Sequence, residues 1–103
     1  MPINTKNRQG KEQEIPFFPL GIVISPGEKI PLRIFEPRYI ELITHIEQSG
    51  EHFAIPYMHQ EEVTSLGSIV KLTNIVDKYP NGEMTILIEG IQFCEIVDYS
   101  PKL

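Results

Sequence analysis

The sequence predicts a mainly β domain with one α-helix, an α+β chain whose sheet curls into a partly open barrel. Three observations carry this expectation. Apolar residues alternate along segments bounded by proline and glycine. One stretch, residues 37–49, changes to helical spacing. An Asn-Gly pair divides the C-terminal third into two long strands. With 103 residues, 41% of them hydrophobic, the chain has room for a single domain with a genuine core.

The elements follow in order. Residues 1–14 hold only Ile3 as a large aliphatic beyond Met1 and read as a flexible N-terminal tail, with the folded domain spanning 15–103. Ile15 to Leu20 sets two aromatics between two prolines, which suits an edge strand. Ser25-Pro26-Gly27-Glu28 is a turn, because proline presets φ and glycine accepts positive φ. Lys29 to Phe35 is a strand with Ile30, Leu32 and Ile34 on one face. Pro37 suits a first helical position, and Tyr39, Leu42, Ile43 and Ile46 form one apolar stripe, widened by Ile40. Gly50 supplies the stop. His52 to His59 is a strand interrupted by Pro56, and 60–65 is a polar loop. Leu66 to Tyr79 is a long strand whose alternation slips near Asn74 and Ile75, the mark of a bulge. After the turn at Tyr79-Pro80-Asn81-Gly82, residues 83–99 return as another strand, interrupted at Gly90.

Charge narrows the partners. The whole chain carries −5, but the first 14 residues carry +1, so the remainder carries −6. An acidic body without clustered Lys and Arg is a poor match for a phosphate backbone, and nucleic acid is not the expected partner. No apolar run reaches the length of a membrane span, and the polar start does not read as a signal peptide. A single cysteine excludes an intrachain disulfide; with no secretion signal this suggests the cytoplasm.

No chemistry-bearing constellation emerges. The chain has no phosphate-binding G-x-x-x-x-G-K-[ST] loop. His45, His52 and His59 recur every seven residues, but they cross a helix, a turn and a strand, and match no metal-site spacing. Cys94 sits among Phe93, Ile96 and Val97 and reads as a buried structural thiol. No catalytic, cofactor-binding or metal-binding residue is assigned, and no cofactor is expected.

The block from Ile15 to Ile43, IPFFPLGIVISPGEKIPLRIFEPRYIELI, resembles the N-terminal domain of the Lon protease family. The shared pattern is P-[LF]-F-P-L, a turn with P-G, and then P-L-R-I-F-E-P-R-Y. Later features resemble the family in the same order: Phe53 to Tyr57, Leu66-Gly67, Asn81-Gly82, and Ile88-Glu89-Gly90 followed by Phe93. The resemblance covers residues 15–99. It implies a PUA-like curled β-fold carrying one helix. It also implies a non-catalytic module that binds unfolded or client proteins, in the setting of ATP-dependent proteolysis with a protease or ATPase partner. The short lead before Ile15 is similar to free-standing bacterial proteins built from this domain alone. The family's domain continues with a further strand and a helical subdomain beyond the position of Leu103. The expectation is therefore a sheet lacking its closing strand, with the 83–99 strand or Ile15–Leu20 as an open edge able to form a weak homodimer. An RNA-binding PUA-like domain and an assembly unit of a larger protease are the alternatives.

Six residues are candidates for protein contact: Phe17, Phe18, Arg38, Tyr39, Tyr57 and Met58. Adjacent strand residues point oppositely, so one of Phe17 and Phe18, and one of Tyr57 and Met58, is expected outside. Phe35 and the other member of the Phe17/Phe18 pair are assigned to the core.

Overall fold

Alternation along the two C-terminal strands sets the architecture. The computed structural model, which describes residues 2–7 and 9–98, contains six strands and one helix. They are β1 (Pro2–Lys6), β2 (Glu12–Pro16), β3 (Lys29–Ile34), α1 (Pro37–Ser49), β4 (Phe53–His59), β5 (Glu62–Lys78) and β6 (Met84–Asp98). The sheet order is β2-β1-β6-β5-β4, and β3 also pairs with β6. One side of β6 runs along β5; the other is shared end to end by β3, against residues 84–89, and β1, against residues 95–98.

The sheet curls because β5 and β6 are bulged. Register shifts fall between Leu72 and Asn74, between Ile75 and Asp77, and between Ile69 and Val70, where Ile69 opposes Gln92 and Val70 opposes Gly90. The first two lie where the alternation slips, and the third puts Gly90 beside a bulge. Each extra residue bends its strand and tightens the local twist. The curl brings the two outer ends together. Phe17 bridges Ala54 and Leu20 bridges Tyr57, both in parallel. The Phe18 N–H donates to the Ala54 carbonyl at 2.9 Å, and the Met58 N–H donates to the Leu20 carbonyl at 3.3 Å. A continuous parallel ladder would need residue 56 to donate to the Phe18 carbonyl between these two bonds. Pro56 has no N–H, so the seam stays two isolated bridges and the barrel stays partly open.

Three expectations are corrected here. The N-terminal residues are not a tail: β1 and β2 form an antiparallel hairpin, with Pro2 opposite Pro16 and Lys6 opposite Glu12. Its turn is held by the Asn7 side chain, whose Oδ1 accepts from the N–H groups of Gln9 and Lys11, both at 3.0 Å. The C-terminal strand is not an open edge: β5 pairs along one side of β6, and β3 and β1 pair along the other over residues 84–89 and 95–98. Tyr99, its expected last residue, lies outside the described residues. The expected 60–65 loop shrinks to Gln60 and Glu61, both at positive φ, and β5 starts at Glu62.

Each face of the sheet buries its own cluster. One face joins Phe18, Ile24, Ile34, Phe53, Ile55, Val70, Ile86 and Ile88 to Ile43 and Ile46 of α1. The other joins Ile15, Phe17, Ala54, Ile69, Cys94 and Ile96. The helix forms as its spacing predicts. Pro37 occupies its start, Ile43 and Ile46 are buried, and Gly50 closes it at φ 74° with its N–H on the Ile46 carbonyl. Between β2 and β3 the chain crosses the first face and is pinned by one buried hydroxyl. Ser68 Oγ accepts from the Ile24 N–H at 3.1 Å and donates to the Ile24 carbonyl at 2.8 Å.

Candidate functional site

Residues 18–21 cross the end of β3, meet the start of α1 and pass beside β4. Where these four segments meet, they enclose a groove of about 430 Å³. Its apolar wall is Phe18, Leu20, Leu32, Ile34, Tyr39 and Met58. Phe18 and Tyr39 stack with ring centroids 4.2 Å apart. The guanidinium of Arg38 lies 4.7 Å above the Tyr39 ring, and its Nε donates to Glu36 at 3.0 Å. Arg33, the second arginine of the groove, stacks 4.4 Å above Tyr79 and donates from one terminal nitrogen to Glu83 at 2.7 Å. Phe35 stands on the rim and is 60% exposed.

The groove gathers four of the six sequence candidates, Phe18, Arg38, Tyr39 and Met58. The other two lie elsewhere. Phe17 is 3% exposed and belongs to the cluster on the opposite face. Tyr57 is half-buried beside the His59 ring, and its carbonyl accepts from Thr64 Oγ1. Two assignments change. Phe17 and Phe18 do point oppositely, but each meets a packed cluster, so both are buried. Phe35, assigned to the core, is on the surface: Ile30, Leu32 and Ile34 turn inward, so the next residue turns outward. That alternation was the signal for Phe35, outweighed by its hydrophobicity.

The remaining reactive groups do not converge on the groove. His45 pairs with Glu51 at 2.8 Å, and His52 and His59 are exposed. Cys94 is buried, and loss of solvent pushes its thiol up to about 11, which keeps it protonated and unreactive at neutral pH.

The sequence matches the family model of the ATP-dependent protease La (LON) substrate-binding domain over residues 14–102. The chain belongs to the Lon substrate-binding domain family. It is 27% identical to a Lon protease of Brevibacillus choshinensis over 92% of its own length, and this covers 13% of that protease. Among solved structures it is similar to a Lon N-terminal domain protein from Xanthomonas campestris. The TM-score is 0.67 and the identity 28%, over 77% of this chain and 46% of that one. The N-terminal domain of a Mycobacterium avium complex Lon protease shares the fold, with a TM-score of 0.58 and 11% identity over 86% of this chain and 56% of that one. The Lon relationship thus rests on a single substrate-binding domain, and the chain spans less than half of the Xanthomonas protein. No helix among the described residues is long and apolar enough to cross a membrane.

Proposed function

We propose that this Lon-family domain is a non-catalytic binding module that takes exposed apolar stretches of unfolded client polypeptides into the groove beside α1. The observation that supports this reading is Phe35. A large aromatic, 60% exposed, borders a groove walled by further aromatics, aliphatics and the adaptable side chain of Met58. Aromatic and methionine side chains give apolar contact that tolerates many partner sequences. Clients held there would be presented to a protease or ATPase partner.

Replacing Phe35 with Ser tests this without disturbing the core. Affinity for a dye-labelled, permanently unfolded protein, reduced and alkylated α-lactalbumin, is expected to fall about tenfold, the loss of one interface anchor. The melting temperature is expected to stay within about 3 °C, because an exposed side chain contributes little to folding. Unchanged affinity would remove the groove as the binding site.

A further inference from the structure

The two arginines allow the groove's ligand to be specified further, on the reading that the groove binds polypeptide. We propose that it selects apolar stretches flanked by acidic residues, with Arg33 and Arg38 each receiving a carboxylate of the bound segment. The net charge of the chain suggests the opposite, since a body at −6 should draw basic flanks. Local hydrogen-bonding capacity decides against that. Each guanidinium has five N–H donors. Arg38 gives its Nε to Glu36, and Arg33 gives one terminal nitrogen to Glu83. Both side chains are half exposed. Each ring-stacked guanidinium is thus held in place by one glutamate and one tyrosine, with donors left over. A carboxylate fits such a fork in a bidentate manner. A lysine at the same place would meet the guanidinium's positive charge. Glu36 and Glu83, the acids in contact with the two guanidinium groups, are each engaged on an arginine, and Glu41 lies on the far side of Arg38 from the groove's lining. The groove's apolar wall takes the side chains in the middle of the segment.

Two labelled peptides with the same Leu-Phe-Leu centre, one flanked by pairs of Asp and one by pairs of Lys, make the test by fluorescence anisotropy. The Asp-flanked peptide is expected to bind about tenfold more tightly at about 50 mM salt and to lose most of that advantage at about 300 mM. The double variant Arg33→Gln, Arg38→Gln is expected to abolish the preference while the chain keeps its melting temperature. Equal binding, or tighter binding of the Lys-flanked peptide, would overturn the selection. Those results would leave the groove itself standing as a binding site. If neither peptide binds, and Phe35→Ser also leaves capture of the unfolded protein unchanged, the groove reading fails along with the selection.

Discussion

Gly90→Ala is expected to destabilise the fold by about 3 kcal/mol or more. A β-carbon there would lie 2.2 Å from the Ser25 carbonyl oxygen and 3.0 Å from Ile24 Cγ2. The nearest obstacle is backbone, and it cannot rotate away as a side-chain tip could. Two hydrogen bonds lock the same spot: the Gly90 N–H donates to the Glu28 carbonyl at 2.9 Å, and the Gly27 N–H donates to the Gly90 carbonyl at 2.8 Å. Admitting a methyl group would lift the Ser25–Glu28 turn off β6, strain both bonds and uncover Ile24, which is fully buried. Overpacking alone costs about 1–3 kcal/mol, and each disrupted bond adds about 1 kcal/mol. Gly21→Ala is the control, since its β-carbon would meet nothing within 4 Å and its φ is not positive. Urea unfolding of both variants separates them; equal midpoints would show that the turn does not sit on Gly90.

Phe53→Ala is expected to cost about 3–5 kcal/mol, the range for an aromatic removed from a core that cannot collapse. Phe53 is 0% exposed and belongs to the cluster between the sheet and α1. Against a total stability of about 5–15 kcal/mol, that loss should lower the melting temperature by more than about 10 °C. Phe93→Ala, at a side chain 39% exposed, should cost about 1 kcal/mol or less. A Phe53 variant that melts with the Phe93 variant would contradict the placement of the core.

The parts of this fold that were legible in the sequence are those where side chains face a single core. Helix α1 runs from Pro37 to Ser49 as its stripe, its proline and Gly50 predict. The inward set of β3 and the bulges in β5 also follow from periodicity. The β1–β2 hairpin was not legible, for a physical reason. Pairing with β6 holds it in place, and its buried residues include a polar one: Thr5 is buried and donates to the Gln13 carbonyl, and only Ile15 marks β2 as apolar. Backbone pairing leaves no periodic trace in side-chain hydrophobicity. Phe17 shows a second limit. A residue facing away from the main core is predicted exposed unless a second layer covers it, and here one does.

The groove was legible in part. The residues of the P-L-R-I-F-E-P-R-Y string supply much of its wall and both arginines, Arg33 and Arg38, but the string does not say which side chains share a cavity. Leu20 and Met58 join it only because the sheet curls until residues 17–20 meet β4.

The central claim is that client polypeptides bind in this groove. A second set of exposed apolar residues offers a competing location: Leu66 on β5 and Phe93 and Val97 on β6. Amide chemical-shift mapping on isotope-labelled protein, titrated with reduced and alkylated α-lactalbumin, distinguishes the two directly. The account predicts that shifts concentrate on Phe18, Leu20, Leu32 to Glu36, Arg38, Tyr39 and Met58, and that Leu66, Phe93 and Val97 stay put. Shifts centred on Leu66, Phe93 and Val97, with the groove amides unmoved, would contradict it.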